Sequence, residues 1–286
     1  MSSETRNMFG GDWTREKLQM LENYLSAYTT IMKDQPFRFG YIDAFAGTGY
    51  IQEEPEGDEQ TLFPVVEEEE RKFLEGSVRT ALEVEPPFNA YVFVEQDEEA
   101  HDELVQIQDE YPEKDITCVN EDANEWLMDR CINRDWDRHR AVVFLDPFGM
   151  QVRWETVRAI ADTEAIDLWT LFPLGIGANR LLTNDGNIPE GWRQRLTEVF
   201  GTDEWEDRFY ETRQTLFGES QQKVIDFEGI SEFYVERLED KFAEVAPNPR
   251  QLYNSRGNPM YLLCFAAGNP TGAPVAVKIA KDILEP

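Results

Sequence analysis

The chain has 286 residues, enough for one large α/β domain with a sizeable core, and we read residues 1–286 as a single domain. Its 57 acidic and 27 basic residues leave a net charge of −30, and 19 of the bases are Arg against eight Lys. Acids spread along the whole chain suit a halophilic surface of haloarchaeal type, since molar salt cuts the reach of charge repulsion to about 3 Å; the alternative is an acidic surface for a basic partner. Cys118, Cys131 and Cys264 fit neither a disulfide framework nor a C-x-x-C site, and His101 and His139 are too few for a His-rich metal centre or a serine triad. No metal is expected. With no signal peptide and no apolar run of about 18 residues, we expect a cytoplasmic protein without a membrane partner.

Residues 1–11 read as a leader. From Asp12 to Lys33, apolar residues recur at Leu18, Leu21, Leu25, Tyr28 and Met32, which is helical spacing. Lys17 sits in the first turn, where a cation gains nothing from the helix dipole; it is either a solvated lysine or an anion ligand. Residues 39–46 suit a buried strand running into Gly47-Thr48-Gly49, whose glycines allow a tight turn and close approach of a ligand. A dinucleotide loop would need Gly where Gln52 stands, and a phosphate loop would need a Lys that is missing. An acidic insertion over 51–75 contains Glu67 to Glu70, and Gly76-Ser77 opens a short helix that ends before Pro86-Pro87.

Ala90 to Glu95 is a second strand ending in an acid, followed by a helix over Asp97–Glu110 with Ala100, Leu104 and Ile107 inward. Ile116–Val119, Arg140–Leu145 and Ile166–Phe172 are further strands, with a short helix near Trp126 and Leu127. Residues 187–248 read as a helical insertion, with Trp192, Leu196 and Val199 on one face and Val235, Leu238, Phe242 and Val245 on another. It serves either a substrate or partner, or the scaffold alone. Gln251–Asn254 and Met260–Ala266 form a hairpin around Ser255 to Pro259, and a helix through Val275, Ile279 and Ile283 closes the chain. Strands alternating with helices argue for a mostly parallel, doubly wound α/β sheet of Rossmann-like form, here closed by a C-terminal antiparallel hairpin.

In such a sheet, ligands bind beyond the carboxyl ends of the strands where strand order reverses. Successive strands here end in polar residues. The acid, aromatic and G-x-G of Asp43, Phe45, Gly47 and Gly49 resemble the first motif of class I S-adenosylmethionine-dependent methyltransferases. That resemblance implies a cofactor cradle in which Asp43 and the glycines hold the methionine part. Glu95, beside Gln96, would accept the ribose hydroxyls, since a carboxylate offers two oxygens. Asp122 and Ala123 would reach the adenine edge, and Lys17 would take the cofactor carboxylate.

Asp146-Pro147-Phe148-Gly149 resembles the D/N-P-P-Y/F motif of methyltransferases acting on exocyclic amines of bases, and more closely the D-P-F-G stretch of tRNA guanine-N2 dimethyltransferases. An aromatic amine is a poor nucleophile because its lone pair is delocalised. A carboxylate and a backbone carbonyl accepting its two N–H bonds favour a more nucleophilic geometry, so catalysis is chiefly positioning. Phe148 would stack on the base. Trp13 to Leu18, Tyr41 to Gly49, Gly76-Ser77, Leu145 to Gly149, Leu171 to Pro173 and Pro259 to Leu263 together resemble the three-Cys-motif partner (TcmP) proteins. This implies a methyltransferase-like fold and a separate three-Cys-motif partner of the Gp37/Gp68 type. The reading is therefore a methyltransferase for an amine of a nucleic-acid base, or a non-catalytic subunit of that partner. Arg130, Arg134, Arg138 and Arg140 form the densest basic run, diluted by Asp129, Asp135 and Asp137, which reads as a solvated loop.

Overall fold

The computed structural model describes residues 12–46, 76–147, 149–215, 218–254 and 256–285. The leader 1–11, Gly47-Thr48-Gly49, the acidic insertion 51–75 and Phe148 lie outside the described residues.

Five strands lie parallel in the order β3-β2-β1-β4-β5: β1 (Arg38–Asp43), β2 (Ala90–Val94), β3 (Ile116–Val119), β4 (His139–Leu145) and β5 (Ile166–Phe172). β10 (Pro259–Ala267) runs antiparallel to β5, and β9 (Arg250–Tyr253) and β8 (Glu244–Val245) pair with β10 in turn. The hairpin thus closes the sheet as the sequence predicts. Strands covered on both faces have no polar side to show, which is why they read as near-continuous apolar runs. Successive side chains go to opposite faces. Tyr41, Val142, Phe144, Trp169, Leu171 and Phe265 fill one core cluster. Ile42, Val143, Leu145, Leu168, Phe172 and Leu262 fill the other.

Helix α1 (Asp12–Met32), residues 76–83 (α2), α3 (Glu98–Glu110) and α10 (Ala273–Leu284) pack on the first cluster. The buried stripe of α1 runs Lys17, Met20, Leu21, Tyr24, Leu25, Tyr28, spaced at three and four residues. Asp97 caps α3 by accepting from the Ala100 amide at 2.9 Å, which fixes that helix start one residue later than its acid run suggests. The second face carries α4 (Ala123–Asn133), α5 (Trp154–Asp162), α7 (Glu190–Phe200), α8 (Glu204–Phe209) and α9 (Phe227–Glu239).

Some expectations are corrected. β1 stops at Asp43, and Ala44-Phe45 already form a turn rather than more strand. α5 is a helix the sequence reading passed over. The stretch read as helical to Val245 is broken by a hairpin, β6 (Tyr210–Thr215) with β7 (Gly218–Lys223), and Val245 belongs to β8. Neither hairpin strand has an apolar stripe at helical spacing to bury. Trp192 is 40% exposed in the first turn of α7, whose buried stripe begins at Leu196. Val275 is 54% exposed, because α10 buries Ala273, Val277, Ala280 and Leu284 instead.

Candidate functional site at the β1–β4 switch

Strand order reverses between β1 and β4, so their carboxyl ends bound the crevice where doubly wound sheets bind ligands. Asp43, the last residue of β1, lies opposite Phe144 in register, and Asp146 follows the end of β4. Asp43 is fully buried. Its Oδ2 accepts from Ser77 Oγ at 2.9 Å and from the Tyr41 hydroxyl at 3.3 Å. Its Oδ1 is buried with no hydrogen-bond partner. Burial pushes its pKa up to about 7, held back by the Ser77 hydrogen bond and raised further by the Asp146 charge. A buried, half-satisfied acceptor is costly, and a ligand N–H or O–H would relieve it.

Lys17 reaches the same place from the first turns of α1. Its Nζ donates to Asp146 Oδ2 at 2.8 Å, and both side chains are nearly inaccessible, at 2% and 8%. The ammonium also lies 5.9 Å from the centre of the Tyr261 ring on β10. Burial pushes the Asp146 pKa up, and the Lys17 charge opposes the shift. The structure therefore brings together three predicted residues, Lys17, Asp43 and Asp146, and joins two assigned to different tasks. Lys17 is no solvated lysine. Its place in the buried stripe of α1 was a signal available in the sequence, as was Tyr41, two positions before Asp43 and so on the same strand face. Ser77 as a partner of Asp43 had no comparable signal beyond its place after Gly76.

The remaining predicted residues stand at neighbouring strand ends in local loop contacts. Glu95 Oε1 accepts from the Asp97 amide at 2.7 Å. Asn120 Nδ2 donates to the Glu95 and Gln96 carbonyls at 2.9 and 3.0 Å, tying the β2 and β3 loops together, while Gln96 itself is exposed. Asp122 caps α4 by accepting from the Glu125 amide at 2.9 Å, and Ala123 is buried behind it. Phe45 is partly buried against the α4–α9 core, so its ring is committed to packing. Pro147 is buried, and Gly149 adopts a left-handed φ of 66°, so the chain turns sharply after β4.

A π-helical turn, Leu174–Ala178, follows β5 and leads into the short α6 (Asn179–Leu181). It backs the post-β4 loop: a Cβ on Gly177 would fall 2.7 Å from Met150 Sδ, and one on Gly175 would fall 1.9 Å from the Pro259 carbonyl oxygen. Such turns are frequent at functional sites. Among the described residues no His, Cys, Asp and Glu side chains group in a way that could hold a metal, and no helix is long and apolar enough to cross a membrane.

Five parallel strands in this order, with an antiparallel strand inserted between β5 and β8, decide the architecture. The architecture is a Rossmann-like, mostly parallel α/β fold. Among solved structures, a Legionella pneumophila protein of the DUF519 family resembles it with a TM-score of 0.51 at 13% identity, over 96% of this chain and 92% of that one. An S-adenosylmethionine-dependent methyltransferase from Clostridium acetobutylicum gives 0.38 at 10% identity, over 88% and 92% of the two chains. The N-terminal domain of EvdMO1, crystallised with SAH, gives 0.40 at 10% identity, over 86% and 80%. No protein-family model and no curated protein matches the sequence. The resemblance to three-Cys-motif partner proteins thus rests on its short stretches alone. What the fold contributes here is the crevice that Asp43, Lys17 and Asp146 share.

Proposed function

We propose that the protein is an S-adenosylmethionine-dependent methyltransferase acting on an exocyclic amine of a nucleic-acid base, in company with a three-Cys-motif protein. The observation that carries this reading is the unpartnered, fully buried Oδ1 of Asp43 at the switch point, with Lys17 and Asp146 beside it. Such an acceptor fits a ligand that brings donors, as the amino-acid end of this cofactor does. Asp43 and Lys17 would hold that end, and Glu95 and Asp122 lie at the strand ends where its nucleoside would extend. When bound, the cofactor supplies a methyl group on a sulfonium, open to in-line displacement.

The chain's own contribution is placement. Asp146 and the Pro147 carbonyl accept the two N–H bonds of the incoming amine and turn its lone pair out of conjugation, and Asp146 can take the released proton. For this, Lys17 must release Asp146, and a cofactor carboxylate on the ammonium is the natural exchange partner. The same ion pair supports a second reading. A Lys17–Asp146 pair that stays closed withholds the carboxylate from an amine, and the protein would then be a non-catalytic subunit of its partner.

Calorimetric titration with S-adenosylmethionine tests the cofactor. We expect binding that Asp43→Asn weakens by about tenfold or more, the loss of one charge-assisted hydrogen bond. Absence of binding by well-folded protein would end the enzymatic reading. Radiolabelled methyl transfer to tRNA and to duplex DNA separates the two readings: Asp146→Ala should abolish transfer without weakening cofactor binding. Loss of both together would make Asp146 structural.

A further inference from the structure

At the opposite end of the sheet, the first residues of β4 and β5 open onto a second cavity of about 350 Å³, between the end of α1 and the start of α10. From Arg140 to Asp146 along β4 is about 20 Å, so this cavity is separate from the switch-point crevice. Tyr28, Ile31, Met32, Phe37 and Ile279 line it. Ile31 is 41% exposed at its rim. Its size is within the range of small-molecule sites, which are mostly apolar with a few fixed polar groups.

Two opposite charges face this cavity without pairing with each other. Asp167, 9% exposed, accepts from the Tyr24 hydroxyl at 2.8 Å, which uses only part of a carboxylate's acceptor positions. Arg140 stacks over the Phe37 ring, 4.0 Å from its centre. Its Nη1 donates to the Trp136 and His139 carbonyls at 2.9 and 2.6 Å, so the guanidinium is held in place with donors to spare. Its charge reaches both Asp167 and Tyr28.

We infer that this cavity binds a small zwitterionic amino acid with a branched or aromatic side chain. The ammonium pairs with Asp167, the carboxylate with Arg140, and the side chain lies against Tyr28, Met32 and Ile279. A ligand with one charge leaves the other protein charge uncompensated next to an apolar wall. One with both completes the pair.

The experiment is calorimetric titration of the full-length protein with L-leucine and L-phenylalanine, beside N-acetyl-L-leucine, which lacks the ammonium, and L-leucinamide, which lacks the carboxylate. The free amino acids should bind, and each derivative should bind about tenfold or more weakly. Arg140→Gln should weaken leucine to a similar extent, while Lys17→Met should leave it unchanged. The inference is overturned by no binding at millimolar amino acid or by equal binding of the derivatives. It is also overturned if leucine affinity falls with Lys17→Met and survives Arg140→Gln, which would move binding to the switch point. The derivatives on the unaltered protein need no variant to fold.

Discussion

Asp43 shows what one side chain can be asked to do. Folded, it holds its proton up to about pH 7, against 3.8 for an ordinary Asp. Below about 3.8 both states carry the proton and the group costs nothing. Between the two values the unfolded chain has released a proton that the folded chain keeps, so stability falls as pH rises and the loss is complete above about 7. Melting temperatures of the wild type should therefore drop relative to Asp43→Asn between pH 4 and pH 7; parallel curves would show that Asp43 ionises freely. A ligand donor on Oδ1 favours the carboxylate, so cofactor affinity should climb as pH rises through 7. Asp43 and Asp146 were legible in the sequence because each ends an apolar run. Their partners were not: Ser77 lies 34 positions from Asp43, and Lys17 lies 129 from Asp146. Such pairs exist only once tertiary packing has brought α1 and α2 over the strand ends.

At the level of elements, the parallel strands were readable for a plain reason, since burial on both faces leaves nothing polar to blur the run. The region after β5 was not. Its π-helical turn has no periodic signature, and β6 and β7 carry mostly polar side chains, exposed from Glu211 to Gln214. The turn nonetheless depends on two glycines of unequal strictness. Gly175→Ala places a methyl against the Pro259 backbone carbonyl, which cannot move without disturbing the start of β10. Gly177→Ala meets mainly the flexible Met150 side chain. Gly175→Ala should cost at least the usual 1–3 kcal/mol or so of overpacking, and Gly177→Ala clearly less. Thermal melts of the two variants check the order, and equal losses would mean that Met150 is as fixed as backbone.

Across the whole molecule, a charge of −30 repels itself. Described ion pairs such as Arg79–Glu110 and Arg208–Glu236 are exposed and neutralise little of it. Raising salt from about 0.1 M to 1 M shortens the screening length from about 10 Å to 3 Å, and the melting temperature should rise steadily over that range. A flat response would remove the salt-adapted reading and leave the acids to be explained by a basic partner.

Spatial order and chain order diverge at β5. All seven of its residues are buried, yet Phe172 pairs with Leu262, about 90 residues further along. On the ribosome, that hydrophobic edge waits roughly 5–20 s at ordinary synthesis rates before its antiparallel neighbour emerges. The nascent protein thus passes through an interval in which a fully buried strand is half-dressed, an open template for any other extended chain. A message stalled or cut before codon 259 would yield a polypeptide with its crevice residues all translated and its sheet still unsealed.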